Sequence, residues 1–338
     1  MSGGVDSSVA ALLTKNKGYE CGGVMMRFSA CPKDDSADAR HIAEALGMPF
    51  HLLDLSREFE EKVISKFISE YERGATPNPC IECNKHLKFE EIFNRCRALG
   101  YDTLVTGHYA RIVYDENRGR YLLKKGVYEG KDQSYVLYNM TQEQLSRTLF
   151  PIGELTKEET RRIAEENGFI NSDKPDSQDI CFIPDGDYAA FIKNYTKKEY
   201  APGNFIDRAG NVLGKHKGII NYTVGQRKGL GLALPAPMYV LEKDTAQNAV
   251  VLGFNNDLFK STVTVTDINW IAFEDAPESF RAEAKIRYNQ KATPVTVRVT
   301  KGGNAVIEFD TPQRAPTPGQ AAVFYDGDTV LGGGTILE

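Results

Sequence analysis

The sequence predicts an α/β domain built on a parallel sheet with flanking helices, followed by a small mainly helical domain and a C-terminal β-barrel domain. Three observations carry this expectation. Up to Tyr109, short apolar runs alternate with helical periods. From Arg111 to about Ala201, helical segments with capping chemistry dominate. After Ala201, almost every run has period two and is rich in β-branched residues. Strand and helix in strict alternation imply parallel pairing, because each strand returns to the sheet through a crossover. The length agrees, since 338 residues at about 150 per domain give two or three domains. The expected division is 1–140, 141–202 and 203–338.

Each element has its own signal. GGVMMRF (22–28) reads as a buried strand, Ser36–Leu46 as a helix, FHLLDL (50–55) as a strand and Glu58–Tyr71 as an amphipathic helix. A second long helix is expected over Lys85–Leu99, then the strand TLVTG (103–107). The polar DENRGR (115–120) predicts a hairpin, and helical segments follow near Gln133–Asn139 and Lys157–Asn167. Thr156 with Glu159 three residues on forms a capping box, and Gly168 is a stop. The runs YVLEK, VTVTDINWIAF, TPVTVRVT, AVIEF and QAAVFYDGDTVLGGGTIL, separated by Gly, Asn-Asp or Pro turns, predict a barrel or sandwich.

Composition narrows the partners. With 41% hydrophobic and 26% charged residues, Gly 30 and Pro 15, the chain is that of an ordinary folded protein, not collagen, a coiled coil or a disordered tract. Lys+Arg 41 against Asp+Glu 46 gives a net charge of −5, so no global basic field advertises nucleic acid or membrane, and any such footprint must be local. No run reaches the ~18 apolar residues that span a bilayer, and MSGGVDSSVAALLTKNKG lacks the basic start of a signal peptide. The expectation is a cytoplasmic protein with no membrane or DNA partner. Six Cys are too few for a disulfide scaffold, and in a reducing compartment grouped Cys point to metal binding or redox chemistry.

Two clusters carry chemistry. Ser2, Gly3, Gly4, Val5, Asp6, Ser7 and Ser8 run directly into the helix-compatible VAALLTK. Glycines there let the backbone approach an anion, while serines and the amides of the helix start donate to phosphate. No Walker loop is present, and GQRKGLG (225–231) lacks the spacing of a dinucleotide fingerprint. Cys80 and Cys83 form a C-x-x-C between TPNP and the helix expected from Lys85. Thiols near a helix N-terminus are expected to have a lowered pKa, suiting a nucleophile or a metal ligand. A structural zinc site with His86 or Cys96 as further ligands is the alternative. Cys181 lies in a stretch too short and polar for a core strand. Cys96 falls on the apolar stripe of Phe89, Ile92 and Phe93 and reads as core, and Cys21 and Cys31 read as structural. Arg208, Lys215, His216, Lys217, Arg227 and Lys228 lie in a stretch without Asp or Glu, and Lys193, Lys197 and Lys198 make a second basic group. Such segments neutralise phosphates or form a solvated face.

SGGVDSS resembles the loop of the N-type ATP pyrophosphatases, adenine nucleotide alpha hydrolase-like enzymes that split ATP into AMP and pyrophosphate. Within that superfamily, TPNPCIECNKHLKF (76–89), TGHYAR (106–111), GKDQSYVLY (130–138), DSQDICFIP (176–184), YTVGQRKGLG (222–231) and KIRYNQ (285–290) are similar to the tRNA-specific 2-thiouridylase family, a match reaching PGQAAVFYDG (318–327). The resemblance implies a tRNA sulfurtransferase that adenylates the C2 oxygen of the wobble uridine and replaces it with sulfur. It implies a catalytic Cys83, a persulfide on Cys181, and ATP at Ser2–Ser8, Met26 and Gly107, with Asp6 near magnesium. Asn78, Pro79 and Cys80 would line the pocket for the target base. His108, Lys131, Asp132, Gln133, Arg287, Tyr288 and Gln320 would meet tRNA, and a cysteine desulfurase or a sulfur-relay protein would supply sulfur. Many family members carry Asp where this chain has Cys80, so an alternative has Cys80, Cys83 and Cys181 holding three irons of a [4Fe–4S] cluster. The superfamily also places a parallel strand immediately before the loop, where this chain has only Met1, so the expectation is of a chain begun late or a sheet short of one member. A C–N-bond-forming ligase with the same loop, and a zinc-stabilised RNA-binding protein, are the rival readings.

Overall fold

Residues 1–31, 34–174 and 180–337 are described by a computed structural model. The phosphate-type loop leads into the helix Val5–Asn16. Gly23–Arg27 (β1) and Phe50–Asp54 (β2) then pair in parallel, Gly23 opposite Phe50, with the helix Ser36–Ala45 as their crossover. Residues 56–72 are helical throughout, as Ser56–Phe59, a π-helical stretch Glu60–Ile64, and Ser65–Glu72. Leu104–Val105 (β3) follows, then the antiparallel hairpin Ala110–Asp115 (β4) and Arg120–Lys125 (β5), and finally Thr148–Leu149 (β6), which pairs in parallel with β3. Among the described residues no strand joins the β1–β2 pair to the β3–β6 pair. The amino group of Met1 donates to the Val24 carbonyl, which lays the first residue beside β1.

The second long helix begins six residues earlier than its apolar period suggested. Pro79 occupies the first helical position and the Asn78 side chain accepts from the Cys80 amide at 3.1 Å, a cap that starts the helix at Pro79–Glu82. It continues as the π-helical Cys83–Glu91 and closes as Ile92–Ala98. The capping box at Thr156 is formed reciprocally with Glu159 and opens the helix Lys157–Glu166. The segment near Gln133–Asn139 is a single 3₁₀ turn, Ser134–Leu137. Two further helices, Gln142–Ser146 and Tyr188–Thr196, are capped by Thr141 and Asp187.

The strands after residue 201 divide between two sheets. Gly203–Asp207 (β7), Val212–His216 (β8), Tyr239–Asp244 (β9) and Ala249–Gly253 (β10) form a four-stranded sheet ordered β8-β7-β10-β9. The rest are Phe259–Trp270 (β11), Ser279–Lys285 (β12), Thr293–Val299 (β13), Ala305–Arg314 (β14), Ala321–Asp326 (β15) and Thr329–Ile336 (β16). They run β11-β14-β13-β12-β15-β16, and β11 pairs again with β16, closing a six-stranded barrel. Val265, Val295, Val297, Ile307 and Phe324 fill it. The β4–β5 hairpin is appended to this barrel, Lys124 opposite Thr329. One continuous core joins Phe59, Phe67 and Leu87 of the N-terminal helices to Phe182, Ile192 and Phe205 of the following segments, so the helical wall carrying the C-x-x-C is held from both sides.

Candidate active site

Gly4, extended at φ −95° and ψ 162°, caps the helix Val5–Asn16 without offering a side chain, so the amides of the first turn are not spent on a cap. Ser7 and Ser8 both donate to the Gly4 carbonyl, and Ser2 contacts Ser7 through its amide and its hydroxyl. Gly3 stands at φ +72°, where a Cβ would meet the Asp35 Cβ at 2.7 Å. Gly107 is held just as closely: a Cβ there would fall 2.6 Å from the Asp6 carbonyl carbon and 2.7 Å from the Ser7 amide nitrogen. Met26 lies near the carboxyl end of β1, the end at which parallel strands receive ligands.

Distant residues strap this loop. Lys157, its side chain 9% exposed, pairs with Asp6 at 2.7 Å, and the Tyr109 hydroxyl donates to the same oxygen at 2.9 Å. Asn171 donates to the Gly3 carbonyl and the Ser8 hydroxyl, both at 3.0 Å. Lys174 bridges Asp35 and Asp38. Sequence reasoning missed these straps. Lys157 left a signal, because a cation in a first turn opposes the helix dipole and needs an outside partner to be comfortable there.

Three thiols converge on Lys88, and a fourth touches one of them. Cys31 and Cys181 touch, sulfur to sulfur at 3.4 Å, and Cys80, Cys83 and Cys181 all feel the Lys88 ammonium. The π-helix explains how Lys88 gets there, since i→i+5 bonding stacks it over Cys83. The lowered thiol pKa expected from the helix N-terminus is overturned. Burial pushes Cys83 up to about 12, with Cys80 and Cys181 adding to the shift against Lys88. Cys80 keeps solvent-reachable surface but is also raised, mainly by desolvation. A helix end contributes about 0.3–1 kcal/mol, whereas taking a charged group out of water costs several times as much. Cys31 also departs from its structural reading. Its contact with Cys181 lowers its pKa and raises that of Cys181, so of this pair Cys31 ionises the more readily. Cys96 is core, as expected. Of the motif DSQDICFIP, residues 176–179 lie outside the described residues, as does residue 175 before it.

The loop before Asn78, Pro79 and Cys80, the residues expected to line a base pocket, is held by the barrel and by the four-stranded sheet. Thr76 donates its amide to Pro318, Gln320 donates to the Thr76 carbonyl at 2.6 Å, and the buried Lys243 donates to the Ala75 carbonyl at 3.1 Å. Tyr288 is partly exposed, its pKa raised by burial first and then by the nearby Asp132 and Cys80. Arg287 is half-buried and donates to Ala315 and Thr317. Asp132, 7% exposed, closes its own loop by accepting from Gly126 and Ser134, and Gln133 accepts from the Tyr109 amide. Lys131 is half-buried in that loop. His108 is also buried, hydrogen-bonded to Thr106 between Phe89 and Phe150, with its pKa well below the usual value; this is the locally bonded alternative that a strand-end histidine carries. Of the basic stretch, Lys215, Lys217, Arg227 and Lys228 are exposed, Arg208 pairs with Asp257, and His216 is buried.

Among the described residues no three Cys, His, Asp or Glu side chains are grouped to hold a metal ion. Neither a cluster on Cys80, Cys83 and Cys181 nor zinc on Cys80 and Cys83 fits this arrangement, in which the Cys181 thiol is turned to Cys31. Magnesium with a nucleotide asks less, since one carboxylate and the phosphates suffice, and Asp6, whose Oδ1 is held by Lys157 and Tyr109, would supply that carboxylate.

Three family models match successive stretches of the chain: a tRNA methyl transferase HUP domain over residues 1–185, a tRNA methyl transferase PRC-barrel domain over 189–254, and an aminomethyltransferase β-barrel domain over 260–336. The chain is 49% identical over 347 residues to the tRNA-specific 2-thiouridylase MnmA of Clostridioides difficile, covering 99% of this chain and 96% of that one. It is 50% identical to that of Acetivibrio thermocellus, covering 99% and 97%, and 48% identical to that of Lachnoclostridium phytofermentans, covering 100% and 98%. Among the described residues no helix is long and apolar enough to cross a membrane. With its loop, its convergent thiols and full-length relatives at this identity, the chain belongs to the tRNA-specific 2-thiouridylase family.

Proposed function

We propose that this chain is a cytoplasmic tRNA-uridine 2-sulfurtransferase acting on the wobble base. The observation that carries the reading is the meeting of Cys181 with the C-x-x-C thiols under one ammonium, Lys88, across 98 residues of sequence. ATP lies on Ser2–Ser8 with its phosphates toward the free first-turn amides, Gly107 closing the site and the Met26 backbone flanking adenine. Asp6 holds magnesium together with the phosphates. The target uridine, turned out of its stack, enters beside Asn78, Pro79 and Cys80.

The C2 oxygen attacks the α-phosphorus and pyrophosphate leaves. The terminal sulfur of a Cys181 persulfide then attacks C2, and AMP leaves with the former C2 oxygen. Cys83 attacks Cys181 Sγ, forming the Cys83–Cys181 disulfide and releasing 2-thiouridine, and a dithiol reductant reopens the bond. Burial keeps Cys83 protonated at rest, so it does not consume the persulfide early, and Lys88 favours its thiolate once a base has taken the proton. Sulfur reaches Cys181 from a cysteine desulfurase or a relay protein. Lys131, Arg287, Tyr288 and Gln320 meet the tRNA, while His108, Asp132 and Gln133 set the segments that carry them. The ATP-binding unit is assigned to 1–140, the persulfide-bearing segment to 141–202 and the tRNA-binding β part to 203–338.

The test is 2-thiouridine formed on unmodified tRNA with ATP and a persulfide donor. Cys83→Ser and Cys181→Ser are each expected to abolish it while leaving tRNA-dependent pyrophosphate release. Thiolation surviving in Cys181→Ser would overturn the persulfide reading, whereas ATP-dependent C–N bond formation without 2-thiouridine, unchanged in Cys181→Ser, would favour the ligase chemistry. Stoichiometric zinc without pyrophosphate release would favour a non-catalytic RNA-binding protein.

A further inference from the structure

The sulfur contact at 3.4 Å is between Cys181 and Cys31, on the segment that follows β1, and the function proposed above leaves Cys31 without a task. Cys31 also feels Cys83 electrostatically, so all three thiols share one pocket. Cys181 is exposed, whereas Cys31 and Cys83 are both half-buried against the core, with burial weighing more heavily on Cys83. After each turnover the sulfur chemistry leaves Cys83 in a disulfide with Cys181, the sulfur that Cys31 touches.

We propose that Cys31 is a third redox thiol that resets Cys83 by intramolecular exchange, and this rests on the persulfide reading above. The Cys31 thiolate, its proton released to solvent, attacks Cys181 Sγ of the Cys83–Cys181 disulfide. The Cys31–Cys181 bond forms as the Cys83–Cys181 bond breaks, and the electron pair leaves on Cys83, which Lys88 faces and which then takes a proton. The exchange has no net oxidation. A dithiol reductant then delivers two electrons to the Cys31–Cys181 disulfide at the surface and is itself oxidised to a disulfide. Contact distance makes the exchange effectively unimolecular, so it outruns attack by a dilute external thiol.

The test uses the full chain, reduced anaerobically and loaded with sulfur by a cysteine desulfurase and cysteine. One turnover with ATP and unmodified tRNA is quenched by acid and alkylation, and disulfides are mapped by mass spectrometry without reduction. The expected wild-type product is Cys31–Cys181. In Cys31→Ser, Cys83–Cys181 accumulates instead, and steady-state turnover with a protein dithiol falls about tenfold relative to the first turnover. A wild type that thiolates yet carries only Cys83–Cys181 overturns the inference and leaves the functional reading standing. A wild type that forms no 2-thiouridine in the first turnover overturns both. The wild-type map needs no variant, so it decides the matter even if Cys31→Ser folds poorly.

Discussion

Replacing Gly107 with Ala tests whether the loop at Ser2–Ser8 is a positioned phosphate site. Gly107 does not need a positive φ, so the effect of the new methyl is steric. Its Cβ would meet three backbone atoms below 3.0 Å: the Asp6 carbonyl carbon at 2.6 Å, the Ser7 nitrogen at 2.7 Å and the Asp6 oxygen at 2.8 Å. None is the tip of a flexible side chain. Restoring an ordinary contact moves the first helical turn by about 0.8 Å, at an overpacking cost of about 1–3 kcal/mol. Displacement of a reacting group by about 1 Å is worth about 100-fold in rate. The assay is tRNA-dependent pyrophosphate release, with KM for ATP and the urea midpoint measured alongside. Gly107→Ala is expected to lose roughly 30- to 100-fold in kcat/KM for ATP, on the order set by that displacement, while remaining folded. Gly100→Ala, with φ +91° but no atom within 4 Å of the new methyl, is the control and should lose stability only. Activity within twofold of wild type in Gly107→Ala would refute the placement of ATP against this turn.

Two further outcomes follow from the straps and the buried lysine. Lys157→Met leaves Asp6 with Tyr109 as its remaining partner in a partly dry site; because the Asp6 side chain is 33% exposed, the loss should be about 1–3 kcal/mol, less than for a fully buried pair, read as a lower urea midpoint together with a raised KM for ATP. Lys243 is held down to about 8 from its ordinary 10.5 by desolvation. The unfolded chain keeps that proton up to 10.5 while the folded chain gives it up near 8, so unfolding takes up a proton between those values and stability rises with pH across that window. The gain is up to about 1.4 kcal/mol per pH unit. The raised thiols, Cys83 among them, act in the opposite sense above about pH 9, so the test is the difference: urea midpoints at pH 8, 9 and 10 should climb more, or fall less, in the wild type than in Lys243→Met, and equal slopes would refute the assignment.

What the sequence revealed depended on how far apart the partners lie. The helix Ser36–Ala45, the strands β1 and β2 and the capping box at Thr156 are local decisions, and each was read from a run of adjacent residues. The start of the C-x-x-C helix was local too, written in Asn78-Pro79, but an apolar period that begins later masked it. Splitting of the C-terminal strands into an open sheet and a closed barrel could not be read, because every strand has the same alternation and only long-range pairing such as β11 with β16 closes one set. Docking of the β4–β5 hairpin on that barrel is equally non-local.

In the site, the same limit reversed a sign. Helix-end logic lowers the pKa of Cys80 and Cys83, and it fails because burial outweighs the helix end and is supplied by residues far away in sequence. Burial also gives the raised pKa a use. In the proposed mechanism, a resolving thiol that ionised readily would attack the Cys181 persulfide before the uridine arrived, so a protonated Cys83 under a fixed ammonium is better suited to acting late than a free thiolate would be. Cys31 shows the converse. Nothing near it in sequence marks it, yet the contact made across 150 residues lowers its pKa and places it where a thiolate has a sulfur to attack. The easier ionisation of Cys31 than of Cys83 is thus set by tertiary packing, and it is the order that the proposed exchange requires.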